Sequence, residues 1–219
     1  MSPLLLLLTA ATGLVDAVSF LGLGHVFTAN MTGNVVLLGF ACVGTPGFSA
    51  PRSLTAIAAF LIGALIGGCI AARVAPISGS RWAMAAFGSE AIFLLGATAA
   101  SVGHRGPVGE VSRLYGLIVL TALAMGVRNA TVRKLAIPDL TTTVLTLTIT
   151  GLAADSSLAG GTSPRWQRRV LSIVSMFIGA ASGAFLLRHS LALPLGIATV
   201  AAVCSIAASY GAQEKPQSV

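Results

Sequence analysis

The sequence contains very few charged residues. Asp, Glu, Lys and Arg make up 9% of its 219 residues, whereas soluble domains carry about 25%. Hydrophobic residues make up 55%, and several apolar runs reach about 18 residues or more, the length that crosses a bilayer. These runs are continuous and do not alternate with a period of two, which argues against a membrane β-barrel. The sequence therefore predicts an all-α polytopic membrane protein.

The sequence also lacks the motifs of soluble enzymes and of metal sites. It has no P-loop, no GxGxxG after a strand and no HExxH, and its loops are too short for an ATPase or sensor domain of ordinary size. The three cysteines show neither CxxC nor Cys/His spacing, so they predict neither a disulfide nor a metal site. We expect no enzymatic activity, no cofactor and no metal, so that any transport would run on gradients or passively.

Acidic residues are the scarcer of the two charge classes. Six Asp and Glu stand against thirteen Lys and Arg, which gives a net charge of +7. In a soluble protein this excess would suggest nucleic acid as a partner. In a membrane protein Lys and Arg gather in cytoplasmic loops and fix the topology. We therefore predict the lipid bilayer as a partner and no nucleic acid.

Two of the eight apolar runs are too short to cross a bilayer comfortably, residues 31–43 and 141–154. A helix that starts inside a membrane leaves its first N–H groups without partners, which is tolerated where they face a ligand, an ion or trapped water. We predict that both are re-entrant half-helices. No basic region precedes the first run, so we predict a retained helix there and not a signal peptide. The six predicted transmembrane helices comprise residues 4–21, 54–72, 82–102, 114–127, 170–187 and 191–210.

The distribution of Lys and Arg favours six crossings. If the short runs re-enter, both termini lie on one side, and the loops of that side carry eight basic residues against four on the other. The eight are Arg73, Arg81, Arg133, Lys134, Arg165, Arg168, Arg169 and Lys215, and the four are Arg52, Arg105, Arg113 and Arg188. If the short runs crossed, this bias would largely vanish. The basic side, with both termini, is therefore predicted to be cytoplasmic.

Three short segments recur in the same order at nearly constant spacing, which predicts an internal repeat. The offset is 113 between residues 13–17 and 126–130, 114 between residues 28–33 and 142–147, and 116 between residues 63–67 and 179–183. The predicted halves, residues 1–106 and 107–219, each contain three crossings and one half-helix. Because three is odd, the halves would insert in opposite orientations as a 3+3 inverted-topology repeat. The N-termini of the two half-helices would then be able to meet near the midplane.

Several of these segments resemble the signature of the YoaK family, a bacterial membrane family grouped as a domain of unknown function. They are GLVDAVSF at 13–20, GHVFTANMTGN at 24–34, GVRNAT at 126–131 and TTVLT at 142–146. Leu147 stands where the pattern would place a glycine. The resemblance covers nearly the whole chain and implies a six-helix transporter protein in the bacterial inner membrane. It supplies no substrate and no catalytic residues.

Three charged residues inside apolar runs are candidates for coupling or substrate binding. A carboxylate within the membrane, such as Asp16 or Glu90, is costly and usually marks a path for protons, ions or substrate. Asp16 is alternatively a structural partner of a helix backbone or of Arg128, and Glu90 an ion-pair partner. Arg128 extends to the cytoplasmic interface, pairs with Asp16 or Glu90, or anchors an anionic substrate. Asn129, the repeat equivalent of Asp16, is polar but cannot titrate.

Polar residues at the starts of the half-helices form a second group of candidates. These are Asn30, Thr32 and Asn34 in the first half, and Thr142, Thr143, Thr146 and Thr148 in the second. Their side chains cap the helix starts, bond back to their own helix or contact a solute. Two converging helix N-termini would favour an anion or a carbonyl-rich neutral solute. His25, in the outer turn before the first half-helix, is a candidate gate or an ordinary interfacial histidine.

Small residues four positions apart predict closely packed helix faces. The pairs Gly63 with Gly67 and Gly179 with Gly183 fit this pattern, and they pack either within the bundle or between the subunits of a homodimer. Trp82 and Trp166 each lie near arginines and are predicted to be interfacial anchors.

The leading functional hypothesis is a secondary transporter for a small polar or anionic solute, coupled to protons through Asp16 or Glu90. A passive channel for a small solute and a non-transporting membrane scaffold or accessory subunit are the alternatives. A transporter should lose pH-driven uptake in the variant Asp16→Asn, whereas a channel should keep its conductance.

Overall fold

Every regular element of the structure is a helix in the residues that it describes. The structure is a computed structural model, and it describes residues 3–75, 81–103, 108–135, 142–163 and 165–211. In chain order the helices are α1 (Pro3–Gly22), α2 (Met31–Cys42), α3 (Ala50–Val74), α4 (Arg81–Ser101), α5 (Val111–Lys134), α6 (Thr142–Ala154), the 3-10 helix η1 (Ser157–Ala159), α7 (Trp166–Leu187) and α8 (Ala192–Gly211).

The lengths of these helices follow the apolar runs. Within the described residues, six helices are long and apolar enough to cross a membrane, and the two short apolar helices are α2 and α6. The prediction of an all-α protein is thus confirmed for the described residues, and the six long apolar helices are consistent with a polytopic membrane protein. Helix α5 continues past the apolar run that ends at residue 127, and Arg128 and Thr131 are buried inside the protein there.

Four of the long helices form the centre of the bundle. α4 packs against both α5 and α8, and α1 packs against α8, whereas α1 and α5 approach each other at only a few points. The remaining long helices lie outside this centre, with α3 against α5 and α7 against α1. The two short helices lie further out, α2 on α3 and α6 on α7. The space between α1 and α5 is therefore spanned mainly by side chains.

The two short helices lie on different sides of the centre. Within the described residues α2 and α6 have at most marginal contact with each other, and α3 and α7, which carry them, are not packed together. The sequence allowed their N-termini to meet near the midplane. The packing gives no support to a site formed in that way, because the partner of each short helix is a neighbouring long helix.

Two glycines mark the closest approaches between long helices. A Cβ atom on Gly63 of α3 would overlap the carbonyl oxygen of Leu123 on α5, and a Cβ on Gly179 of α7 would overlap that of Ala10 on α1. Gly179 follows Gly63 by 116 residues and Leu123 follows Ala10 by 113. The contact between α3 and α5 thus recurs between α7 and α1 at equivalent positions of the two predicted halves.

A second pair of glycines on the opposing helices shows the same correspondence. A Cβ on Gly13 of α1 would overlap the carbonyl oxygen of Met176, and one on Gly126 of α5 would overlap that of Phe60. Met176 follows Phe60 by 116 residues, and Gly126 follows Gly13 by 113. Each of these helix pairs therefore needs a glycine from both partners for its backbones to approach so closely.

The small-residue faces are filled within one chain. Gly67 packs against Val127 of α5, and Gly183 packs against Leu14 of α1, and all of the glycines predicted to pack closely are buried. Of the two alternatives for Gly63, Gly67, Gly179 and Gly183, the structure contains the packing within the bundle, and a homodimer stays a prediction.

The two tryptophans differ in their surroundings. Trp166 is 52% exposed at the start of α7, as expected of an interfacial residue, whereas Trp82 is buried. The prediction that Trp82 is an interfacial anchor is wrong, because its ring packs into a small apolar cluster with Leu8 and Phe87. This cluster lies at the end of the bundle where α1 and α4 begin.

Candidate functional site

Asp16 joins the first long helix to the start of α2. Its side chain is 6% exposed, and its Oδ1 accepts a hydrogen bond from the backbone N–H of Ala29 at 2.9 Å. The backbone of Thr28 and Asn30 also interacts with the carboxylate. The backbone that Asp16 binds thus belongs to the turn before α2 and not to a helix, and the role of Asp16 as a coupling residue stays a prediction. Asp16 does not pair with Arg128, because Arg128 binds a different carboxylate.

Asn30 and Asn34 both fold the chain into α2. Asn30 Oδ1 accepts the N–H of Gly33 at 3.2 Å, which is an N-cap. Asn34 is fully buried and binds both backbone groups of Phe27, accepting from its N–H at 2.9 Å and donating to its carbonyl oxygen at 2.5 Å. These amide groups are therefore occupied by the backbone of the turn before α2.

The threonines of this turn differ from the asparagines. Thr32 is exposed. Thr28 is fully buried, and its hydroxyl has no hydrogen-bond partner in the part of the chain that the structure describes. The ring of Phe27 lies over Gly33, where a Cβ would come within 2.7 Å of the ring. The motif thus combines a closely packed turn with one unsatisfied hydroxyl.

His25 lies in the same turn with a left-handed backbone. Its φ is +59° and that of Gly24 is +80°, and this reversal ends α1. The imidazole Nδ1 lies 3.2 Å from the carbonyl oxygen of Gly47, and the ring contacts those of Phe20 and Phe48. His25 therefore links the turns on the two sides of α2, and its role as a gate stays a prediction.

The central polar contact of the bundle joins Glu90 of α4 to Arg128 of α5. Arg128 Nε donates to Glu90 Oε1 at 2.8 Å, and Arg128 Nη2 donates to the same oxygen. The Glu90 side chain is fully buried and that of Arg128 is 3% exposed. The sequence left three alternatives for Arg128, and the ion pair with Glu90 is the one that the structure contains.

Arg128 also reaches across to the first helix. Its Nη1 donates to the carbonyl oxygen of Leu8 at 3.2 Å and to Thr12 Oγ1 at 3.2 Å. Thr12 Oγ1 in turn donates to the carbonyl of Leu8 at 2.9 Å. One guanidinium thus links α1, α4 and α5 where α1 and α5 make few other contacts.

The second oxygen of Glu90 has no partner. Glu90 Oε2 is buried and receives no hydrogen bond in the described part of the structure. One helical turn before Glu90, Phe87 belongs to the apolar cluster with Leu8 and Trp82, while Ala91 and Leu94 belong to the main core. The ion pair therefore lies where two apolar clusters meet, enclosed by hydrophobic side chains.

Asn129 does not repeat the role of Asp16. Its Nδ2 donates to the carbonyl oxygen of Met125 on its own helix at 2.8 Å. This is the back-bonding alternative within one helix. The residue that corresponds to Arg128 at the offset of 113 is Val15, which is fully buried. The buried cation is therefore not repeated at the equivalent position of the other predicted half.

The second short helix is tied down by an arginine of α7. Arg169 Nη1 donates to the carbonyl oxygen of Gly151 at 2.6 Å, and Nη2 donates to Asp155 Oδ2 at 2.7 Å. Thr146 is exposed, and Thr148 is buried with a hydroxyl that has no partner among the described residues. The side chains of Thr142 and Thr143, which were predicted site residues, lie outside the described part of the structure. Their role stays a prediction.

The family described as a protein of unknown function (DUF1275) matches residues 4–209 of the chain. The chain belongs to this family. UPF0700 transmembrane protein YoaK of Bacillus subtilis (strain 168) is 36% identical over 156 residues, which are 70% of this chain and 66% of the relative. The aligned part is thus slightly less than two thirds of that relative. No solved structure matches the chain.

These findings confirm the resemblance inferred from the motifs, and together with the six long apolar helices they support a multi-pass membrane protein. Sequence reasoning missed two polar partners in it. Thr12 lies four residues before Asp16, so helical spacing already placed it on the same face. Arg169 was assigned to topology alone, although Asp155 precedes it by 14 residues across a short hairpin.

Proposed function

We propose that this protein is a secondary transporter that moves a small polar or anionic solute across the bacterial inner membrane, coupled to protons through Glu90. It acts without enzymatic chemistry and without a cofactor. The observation that carries the proposal is the buried Glu90–Arg128 pair, in which one carboxylate oxygen has no partner among the described residues.

The energetic cost of this pair argues for a functional role. A charged side chain at the centre of a transmembrane helix costs at least about 2.5–3.5 kcal/mol. Replacing a buried ion pair with apolar residues of similar volume is often neutral or stabilising. The bundle would therefore hold together without Glu90 and Arg128. Ionisable residues inside membrane proteins usually mark the path of a proton, ion or substrate.

Glu90 is a better coupling residue than Asp16. Oδ1 of Asp16 accepts the N–H of Ala29, so the carboxylate contributes to the turn that leads into α2. Glu90 uses one oxygen for its cation and keeps the other free of hydrogen bonds. We therefore assign Asp16 to holding the turn and Glu90 to coupling.

The proposed topology is the 3+3 inverted repeat with both termini in the cytoplasm and with α2 and α6 as re-entrant half-helices. The matching glycine contacts of α3 with α5 and of α7 with α1 support it, because a two-fold axis relating the halves requires such recurrence. The excess of Lys and Arg in the loops of one side supports the orientation.

Flux in proteoliposomes tests the proposal. The purified protein is screened by thermal shift against small carboxylates, phosphates and neutral polar metabolites, since a ligand of the folded state raises its stability. Solutes that shift the transition are then tested for uptake with an inward proton gradient. We expect uptake that the gradient accelerates and that Glu90→Gln abolishes. The matched control Glu110→Gln changes a glutamate that is 58% exposed and should leave uptake intact.

Two other outcomes would contradict the proposal in different ways. Uptake that is insensitive to the gradient and survives Glu90→Gln indicates a passive channel. No uptake of any solute, with tight co-purification of a partner protein, indicates a scaffold. Because Glu90→Gln leaves Arg128 without a counter-charge, the variant Glu90→Gln/Arg128→Gln is measured as well, and size-exclusion chromatography confirms that each variant is folded.

A further inference from the structure

Few charged side chains lie in the middle of the long helices. In the described parts of the six long helices, three charged side chains lie more than about one turn from both helix ends: Asp16, Glu90 and Arg128. Asp16 is held by the turn before α2. Glu90 and Arg128 form a pair with no net charge, enclosed by apolar side chains. A site of this kind strongly disfavours any state with an uncompensated charge.

The two members of the pair differ in what they can do chemically. A glutamate becomes neutral when it takes up a proton, whereas a guanidinium stays charged at any pH that a protein experiences. Protonation of Glu90 therefore leaves Arg128 as a buried cation that needs a new counter-charge. The reverse state, a free glutamate beside a neutral arginine, is not accessible. The solute that completes the site must accordingly be an anion.

The geometry of the guanidinium fits one carboxylate. Nη1 of Arg128 is held on α1 by Leu8 and Thr12, which fixes the plane of the group. The opposite edge, formed by Nε and Nη2, is the edge that binds carboxylates with two parallel hydrogen bonds. In the structure both of its donors share the single oxygen Oε1 of Glu90. Two oxygens of a solute would satisfy this edge better than one oxygen of Glu90 does.

The unpartnered oxygen of Glu90 is a suitable place for the proton. A proton on Oε2 breaks no existing hydrogen bond, because that oxygen accepts none in the described structure. Arg128 is the charged group in contact with Glu90. The other charged groups of the helices around it lie at different levels: Asp16 on α1, Arg52 and Arg73 on α3, Arg81 at the start of α4, and Arg113, Arg133 and Lys134 on α5, with none in the described part of α8.

From this charge balance we propose that the solute is a small organic monoanion with a carboxylate or similar two-oxygen acid group, which binds Arg128 and is carried with one proton in electroneutral symport. The inference rests on the proposed function. In the binding step a proton from water adds to Glu90 Oε2, Nε and Nη2 of Arg128 release Oε1, and both donate to the acid group of the solute. The site has no net charge before the step and none after it.

The experiment measures uptake while the pH gradient and the membrane potential are set separately. Proteoliposomes with potassium and valinomycin, which fix the potential, receive labelled gluconate, lactate or methanesulfonate as monoanions. Succinate serves as the dianion and glycerol as the neutral solute. Methanesulfonate controls for leakage, because it does not cross the lipid as a neutral acid, and protein-free vesicles are measured in parallel.

Coupling of one proton to one monoanion predicts about tenfold accumulation for each pH unit of the gradient. The same accumulation is expected with or without an imposed potential. A mechanism that moves one net charge would instead change the ratio of the internal to the external anion concentration by roughly 50-fold for a potential of about 100 mV. Arg128→Gln should abolish monoanion binding. Glu90→Gln should keep binding and exchange of labelled for unlabelled anion but lose accumulation.

The outcomes separate this inference from the proposed function. If uptake follows the pH gradient but also responds to the potential, the electroneutral symport of a monoanion is wrong. The same holds if gradient-driven uptake occurs only with succinate or glycerol. Both results leave proton-coupled transport in place. Absence of uptake of every solute removes both. Arg113→Gln, at the exposed pair with Glu110, is the matched control and should match the unaltered protein.

Discussion

Removing one charge of the Glu90–Arg128 pair should destabilise the protein far more than removing both. Glu90 is fully buried and Arg128 is 3% exposed, so neither charge is compensated by water. Breaking a buried pair by neutralising one partner typically costs about 3–5 kcal/mol, because the other charge stays buried without its partner. We expect a loss of this size in the free energy of unfolding for Glu90→Gln.

The double variant Glu90→Leu/Arg128→Met should recover most of this loss. Apolar replacement of a buried pair is often neutral or stabilising by about 1–4 kcal/mol. The acceptors that Arg128 leaves behind keep a partner, because Thr12 Oγ1 already donates to the carbonyl of Leu8 at 2.9 Å. No buried polar atom on α1 is therefore orphaned by the change.

Reversible unfolding in mixed micelles, read as a double-mutant cycle, measures these values. The exposed pair of Glu110 and Arg113, with 3.6 Å between the charged atoms, provides the same chemistry in water and should contribute less than about 1 kcal/mol. If Glu90→Gln costs no more than Glu110→Gln, the buried pair is in fact hydrated. The charge-balance reasoning behind the monoanion would then lose its basis.

Three further changes test the packing and the hydrogen bonds of the bundle by the same unfolding measurement. Gly63→Ala should lower the free energy of unfolding by about 1–3 kcal/mol, because the new methyl group overlaps the backbone of α5. Gly68→Ala places its methyl group in open space and should not destabilise the protein. Equal effects of the two changes would contradict the close approach of α3 and α5. Asn34→Ala removes both hydrogen bonds to Phe27 in the turn before α2 and should lower the free energy of unfolding by about 1–3 kcal/mol. No loss of stability would mean that these hydrogen bonds do not stabilise the turn. Thr12→Val removes the hydroxyl that Arg128 binds and should lower the free energy of unfolding by about 0.6 kcal/mol or more. Thr12→Ser keeps the hydroxyl and should retain the stability of the unaltered protein. Thr9→Val loses only a hydrogen bond to its own helix and serves as the control.

The helices could be predicted from the sequence because their signal is local. A run of apolar residues specifies a membrane helix wherever it occurs in the chain, and the two short runs appeared as the two short helices. The predicted end of α5 at residue 127 came too early, because the helix continues to Lys134. Its length depends on whether Arg128 has a partner inside the protein, and Glu90, which provides that partner, lies 38 residues earlier.

The partners of the polar residues could be narrowed down from the sequence but not chosen. Asp16 and Arg128 are both compatible with an ion pair between them, and only the packing of α1, α4 and α5 decides that Glu90 is nearer. The sequence likewise leaves open which helix the glycines pack against. Their spacing predicts a close helix contact, but the pattern is identical for a partner in the same chain and for a second copy. The meeting of α2 and α6 was a geometric extrapolation, and it depended on a packing that the long helices do not provide.

In the proposed inverted repeat, Arg128 connects the proposed site to the junction between the two halves. Helix α1 belongs to the first half and α5 to the second, and they make few contacts apart from the hydrogen bonds of Arg128 to Leu8 and Thr12. Glu90 holds the same guanidinium from α4, which is again in the first half. The corresponding position on α1 carries the uncharged Val15, so the equivalent position of the first half does not provide a second cation. Any change in what binds Arg128 would therefore act on a junction between the two proposed halves. Alternating access requires such a junction, whose strength differs between the loaded and the empty site.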